Sequence, residues 1–336
     1  MSMYGTYKIY KNGELVLEQK NKLTVLGRAN ALKAMLGQNQ YFANSFGIGV
    51  ASTPNENQTF LTRTDLEFPV GKYPIAMGTL GRNDTDTLDG LVYVARITDT
   101  SRYNINEVGL FSNVVTDAVM VDDLTLFNFE SGDPLKETVS NVNYYLGETY
   151  SGRATTVLDN ESLEFSQYRI GTNAVKITGS SKTIFFDDLV SDFSDIESSD
   201  SFVLAAYCSA GTKTLTIKFT ANATNTYPAT SATYTFALAT GYNIISSQRL
   251  NNTVNWSEIS KIEITTPSDL SSDYIILDGL RVKKNKPVDV VDGLVSRAVL
   301  STPIEKDSGS IIDIQYILSM GLTTQWQQKH YKNQIF

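Results

Sequence analysis

Residues 201–248 read SFVLAAYCSAGTKTLTIKFTANATNTYPATSATYTFALATGYNIISSQ. Four strand-length runs, SFVLAAYC, TLTIKFTA, ATYTFAL and YNIISSQ, are rich in Val, Ile, Thr, Tyr and Phe and are separated by Gly, Asn and Ser. β-Branched and aromatic residues fit a pleated, half-buried surface, so this stretch predicts antiparallel strands. The signal extends outward through AVKIT (174–178), TIFFD (183–187), KIEIT (261–265) and YIILDGLRV (274–282). About eight short strands at even spacing over 126–282 predict an antiparallel β-sandwich.

The flanks are also strand-rich. Tyr4 to Leu17 alternates around Asn12-Gly13, a pair that tolerates the positive φ of a tight hairpin turn. One helix is expected in LTVLGRANALKAMLG, capped by Thr24 and stopped by Gly37, with Leu26, Ala29, Leu32, Ala34 and Leu36 as an apolar stripe covering a sheet face. A short helix is a further candidate near Asp187 to Phe193. LVYVARI (91–97) and INEVGLFS (105–112) read as paired strands about the turn TDTSRYN. LVSRAVL (294–300) and SIIDIQYIL (310–318) read as a hairpin about EKDSG. KKNKP (283–287) reads as a linker, and no repeat of fixed period is present.

Composition narrows the chemistry. The chain has 336 residues, enough for two domains, with 41% hydrophobic and 19% charged residues. A net charge of -8 repels phosphate backbones, so free nucleic acid is not an expected partner. The single Cys208 cannot build a disulfide framework or a thiolate zinc site, and its apolar surroundings predict a buried small hydrophobe. The single His330 lies in a polar tail, far from any strand-held nucleophile, and excludes histidine-rich metal sites. No leader-like apolar region opens the sequence and no apolar run is long enough to span a bilayer, so synthesis in a cytoplasm without membrane insertion is expected.

Two family resemblances rest on these segments. The helix, then FGIGVASTP, FLTRTDLEF, INEVGLFS and LVSRAVLSTPIEKDSGSIIDIQYIL, resemble in their order a recurring domain of tailed-phage tail and fibre proteins. The matching features fall on Gly47 and Gly49, Leu61 to Glu67, Glu107 to Phe111, and Arg297 onward. The resemblance covers about half the chain. The family crosses from GLFS to LVSRA in a few residues, whereas here the gap is long. The segment filling it is similar to carbohydrate-binding-module jelly rolls, in FNFESGD, GTNAVKIT, VNWSEISKIEI and YIILDGLRV.

Together they imply a mainly β chain: a base domain of sheet packed with one helix (1–125 and 285–336), interrupted by an inserted jelly roll (126–284). They imply a structural component of a virion tail, fibre or baseplate, partnered by other virion proteins and copies of itself. The alternative is a receptor-binding protein for host surface glycan. A glycan-degrading enzyme is the third reading, and no enzyme is expected.

The jelly-roll resemblance also implies site residues. Glu130 and Asp278 match carboxylates on first and last strands that share a structural Ca²⁺. Solvated or hydrogen-bonded acids are the other reading of the pair. Trp256, Tyr144 and Tyr145 are candidates for stacking on sugar rings, with core or edge packing as the alternative. Tyr150 and Tyr168 belong to the same tyrosine-rich stretch. Asp187, Asp188, Asp192 and Asp195 lie too close in sequence for a paired-acid glycosidase and read as a solvated face. Gly47, Gly49 and Gly109 lack the Lys-Ser/Thr and following helix of a phosphate loop and are expected to permit close backbone approach. Trp326, Tyr331, Ile335 and Phe336 make the tail a candidate docking segment.

Overall fold

Strand β1 (Ser2–Lys11) turns at Asn12 and Gly13, both at positive φ (53° and 87°), into the antiparallel β2 (Glu14–Asn21). That is the geometry an Asn-Gly turn favours, because it matches the twist of the strands it joins. These coordinates belong to a computed structural model that describes residues 2–38, 42–52, 65–81, 90–112, 125–130, 133–187, 192–222, 229–248, 254–283 and 293–321. The fold is mainly β, with one α-helix among the described residues. The chain divides into two compact units, residues Met1–Val121 with Lys286–Phe336, and Asp122–Asn285.

Helix α1 (Val25–Met35) begins where expected: the buried Thr24 side chain accepts from Gly27 N at 3.0 Å and donates to the Leu294 carbonyl at 2.7 Å. Gly37, at φ 70°, ends it. Replacing Thr24 by alanine is expected to cost about 1–2 kcal/mol, since it orphans a helix N–H. Urea unfolding of the variant beside the wild type measures this. The apolar stripe departs from expectation. Gly27, Asn30 and Ala31 face the protein, whereas Leu32 and Leu36 are exposed. The helix lies too near the sheet for larger side chains: a Cβ on Gly27 would collide with the Val295 carbonyl oxygen.

The first unit continues with β3 (Ser45–Gly49), β4 (Pro69–Pro74), β5 (Met77–Gly81), β6 (Gly90–Ile97) and β7 (Tyr103–Phe111). The second unit contributes β8 (Thr125–Phe127), β9 (Lys136–Val139), β10 (Val142–Tyr145), β11 (Thr155–Asp159), β12 (Asn173–Thr178) and β13 (Thr183–Phe186). It goes on with β14 (Ser201–Cys208), β15 (Lys213–Ala221), β16 (Thr230–Leu238), β17 (Gly241–Gln248), β18 (Ile259–Thr265) and β19 (Tyr274–Lys283). The chain then returns to the first unit with β20 (Leu294–Lys306) and β21 (Ile312–Gly321).

The first unit holds two antiparallel sheets, ordered β2-β1-β21-β6-β5 and β20-β7-β3-β4. This corrects two expected pairings. β6 pairs with β5 and β21, and β7 pairs with β3 and β20, so the turn between them passes the chain from one sheet to the other. β20 and β21 likewise belong to different sheets, so the residues between them are not a hairpin turn. Local alternation specifies a strand and a buried face, but the partner is chosen by which edge completes the layer.

A fully buried ion pair joins the motifs of the first unit. Glu107 on β7 accepts from Arg297 Nε on β20 at 2.8 Å, and Arg297 Nη2 lies 2.7 Å from the same oxygen. The carboxylate also accepts the backbone amides of Glu67 (3.1 Å) and Phe68 (2.8 Å). Gly49 lies opposite Glu107, and a Cβ there would strike the carboxylate. A Cβ on Gly47 would come within 2.6 Å of the Phe111 ring. These glycines serve close approach, as expected.

The second unit is a β-sandwich of jelly-roll type. Its sheets run β10-β9-β13-β18-β15-β16 and β11-β12-β19-β14-β17, with β8 pairing β19. First and last strands are therefore neighbours. Strict alternation along β15 and β16 sends Leu215, Ile217, Phe219, Tyr234, Phe236 and Leu238 into the core between the sheets. Cys208 is buried there, as expected of a small hydrophobe. Asp188 and parts of the expected Asp187–Phe193 helix, KKNKP after Lys283, Leu61 and the aromatic tail lie outside the described residues.

Candidate functional site

Because side chains alternate along each strand, residues paired across a sheet share a face. On the six-stranded sheet of the second unit, the core-facing row Ile184, Ile264 and Ile217 leaves its neighbours outward. The outward residues line up in transverse rows. One row is Tyr145, Lys136, Phe185, Glu263, Lys218 and Thr233. The next contains Thr183, Thr265, Thr216 and Thr235, and the Thr183 and Thr265 hydroxyls are 2.9 Å apart.

An open groove of about 580 Å³ lies over the first strands of this face. Its lining includes Thr138, Asn143, Thr183, Phe185, Asp187, Lys261 and Glu263. Phe185 is among the lining residues but is itself buried, 7% exposed, with Lys261 Nζ 5.0 Å from its ring centre. The charges are paired in place: Lys136 with Asp187 at 2.8 Å, and Lys261 with Glu263 at 2.7 Å. The Lys136 hydrogen bond holds the Asp187 carboxyl below the usual carboxylate range. Glu137, at one end, is buried and accepts the amides of Ala154 (2.7 Å) and Thr155 (3.1 Å). The groove thus offers hydroxyl, amide, carboxylate and ammonium groups around one aromatic ring, with its charges balanced locally.

The three aromatic candidates separate. Trp256 is 4% exposed and packs among Phe202, Phe219 and Tyr234, so it belongs to the core and is withdrawn as a sugar-stacking residue. Its short 3₁₀ turn, Trp256–Glu258, tucks the indole inward. Tyr144 stacks on Tyr150, ring centres 4.2 Å apart, and lies opposite Glu137. Tyr145 is exposed and stands in the groove-side row beside Lys136. Tyr168 is fully buried. Phe185, Lys261 and Glu263 escaped sequence reasoning because their strands look like any other TIFF or KIEI run. Only cross-strand register makes them neighbours.

The acid pair lies elsewhere in this unit. Asp278, on β19, is completely buried. Its Oδ2 accepts Arg169 N at 2.8 Å and the Tyr242 hydroxyl, and its Oδ1 has no hydrogen-bond partner. Burial, with the Glu130 charge adding, pushes its pKa up to about 7. Glu130 accepts four hydrogen bonds from Thr172 and Asn173, at 2.8 to 3.1 Å. Burial, with Glu130 again adding, pushes Asp133 up to about 6, and Asp133 Oδ2 is a second buried oxygen without a partner. Among the described residues no group of three or more His, Cys, Asp or Glu gathers at metal-binding distance. The Arg169 guanidinium is coupled to Asp278 and lies over the Tyr242 ring, 4.3 Å from its centre, so the carboxyl already feels a positive charge, while Asp278 Oδ1 is an oxygen of the kind a hard cation takes.

No protein-family model and no curated protein matches this sequence. Several solved structures are similar to it. The family 11 carbohydrate-binding module from Clostridium thermocellum, in complex with a β-1,3-1,4-mixed-linked tetrasaccharide, is 12% identical, with a TM-score of 0.30 over 49% of this chain and 96% of that one. The CBM22-1–GH10 modules of Clostridium thermocellum xylanase 10B, complexed with xylohexaose, are 15% identical, with a TM-score of 0.29 over 49% of this chain and 28% of that one. TmCBM61, in complex with β-1,4-galactotriose, is 12% identical, with a TM-score of 0.25 over 40% of this chain and 85% of that one.

Proposed function

We propose that the second unit binds a carbohydrate in the groove of its six-stranded sheet, and that the first unit attaches it to a tailed-phage tail, fibre or baseplate. The observation that carries the binding reading is the groove itself: hydroxyl, amide, carboxylate and ammonium groups line it together with the edge of one largely covered aromatic ring. A sugar offers hydroxyls to such groups and an apolar ring face to an aromatic. Because Asp187 and Glu263 already hold lysines, the groove suits a ligand without net charge. The same pairing supports binding over hydrolysis, since a glycosidase needs one acid kept protonated opposite another. Attachment to a virion is supported by the order of the outer segments along the sequence. A purely structural role gives way to binding because it leaves the groove unused. For the acid pair we propose that Asp278 and Glu130 hold a structural Ca²⁺; what supports this is that the buried Asp278 Oδ1 is left without a hydrogen bond.

Affinity electrophoresis of the full chain in gels holding mixed-linkage β-glucan, xylan or galactan tests the groove. Retardation is expected in at least one gel, with about ten-fold weaker affinity for Lys261→Ala and for Asp187→Ala, each losing roughly 1.4 kcal/mol of contact. Unretarded migration in every gel, or variants that migrate like the wild type, would sink the assignment.

A further inference from the structure

Helix α1 and its C-cap leave three large apolar side chains exposed, more than a helix that only covers a sheet needs, while Ala31 is buried and Leu26 and Ala34 are half-buried. Small or polar residues, Gly27, Asn30 and Ala31, meet the protein. Val25, Leu32 and Leu36 are 49%, 58% and 71% exposed, and Leu36 is the most exposed large hydrophobic residue among those described. With the half-buried Ala29 they recur at spacings of four, three and four residues. That is the seam of a helix built to pack against another helix.

Charge decides the occupant. Lys20, Lys22, Arg28 and Lys33 are all exposed, and no Asp or Glu occurs from Gln19 to Gly37. The local charge is therefore +4 in a chain whose net charge is -8. Two copies pairing through α1 would bring Arg28 and Lys33 against their own equivalents. An anionic bilayer would meet only three large apolar side chains on an 11-residue helix, and the remainder of the chain would repel it. A helix whose apolar seam is flanked by Glu or Asp matches both features.

We propose that α1 is a docking surface for an acidic, apolar-seamed helix of another protein, in which Val25, Leu32 and Leu36 fill the seam and Arg28 and Lys33 pair with the flanking carboxylates. The inference is independent of the sugar-binding reading, since it concerns the first unit alone.

The test uses the full chain and two labelled synthetic helical peptides of three heptads, both with leucine at the seam, one flanked by Glu and the other by Lys. Fluorescence anisotropy is expected to show the Glu peptide binding about ten-fold tighter than the Lys peptide, and weakening as salt rises. The double variant Leu32→Ser/Leu36→Ser should lose about ten-fold for the Glu peptide while retaining the wild-type circular dichroism spectrum, because both side chains are exposed. Three results would overturn the proposal. One is equal or no binding of the two peptides. Another is a wild-type dimer by light scattering that the double variant dissociates, which would make a second copy the occupant. The third is co-sedimentation with phosphatidylcholine/phosphatidylglycerol vesicles that the double variant abolishes, which would make a lipid surface the occupant.

Discussion

Replacing Arg297 by alanine is expected to destabilise the first unit by about 3–5 kcal/mol, the cost of stranding one member of a buried ion pair. Both partners are wholly excluded from solvent. Removing the guanidinium leaves the Glu107 carboxylate in a low-dielectric interior, held by the amides of Glu67 and Phe68 but with no ion-pair partner for its charge among the described residues. Chemical denaturation followed by near-ultraviolet circular dichroism measures the loss. The double replacement Arg297→Met/Glu107→Leu should recover part of it, because an apolar pair of similar volume strands no charge. A single variant as stable as the wild type would mean that the carboxylate finds a proton or water instead. The consequence extends beyond the pair. Glu107 ties β7 to the segment entering β4, and Arg297 adds β20, so the four-stranded sheet is expected to loosen as a whole.

The second large effect concerns Asp278. Its folded pKa, about 7, lies above its ordinary value of 3.8. The folded state therefore prefers the protonated form. The associated stability is fully present below about pH 4 and is lost as pH rises through about 7, by roughly 4 kcal/mol for a shift of this size. Asp133, raised to about 6, adds the same sign over a narrower window. Asp278→Asn, which cannot ionise, should abolish most of the slope. The difference in unfolding free energy between wild type and variant, measured from pH 4 to 8 in chelator, isolates it. Calcium should act like the proton: at pH 8 it is expected to raise the melting temperature of the wild type by several degrees and leave Asp278→Asn unmoved. No calcium response with the pH slope intact would assign the site to a proton and remove the metal.

Much of this architecture was legible along the chain. The Asn12-Gly13 hairpin, the Thr24 cap and the Gly37 stop are contacts between near neighbours, so the residues that make them are also adjacent in sequence. The alternation in β15 and β16 announces a buried face without reference to any partner. Glu130 and Asp278 are paired through resemblance alone, because nothing within the runs FNFE and YIILD links the two acids. Trp256 was ambiguous because an aromatic at a strand entry has the same sequence context whether it points inward or outward.

What the sequence by itself determined was therefore the class of each element, its caps and turns, and which alternate side chains seek burial. The tertiary structure alone decided the partners. It placed β20 and β21 in different sheets and aligned Phe185 with Lys136 and Glu263 on the face of a groove. It also turned the leucines of α1 outward. The physical reason is the same in each case. Periodicity reports only that a face is apolar, whereas register, sheet membership and the direction a helix presents depend on steric fit between segments that can be nearly three hundred residues apart, as between Tyr7 and Ser296.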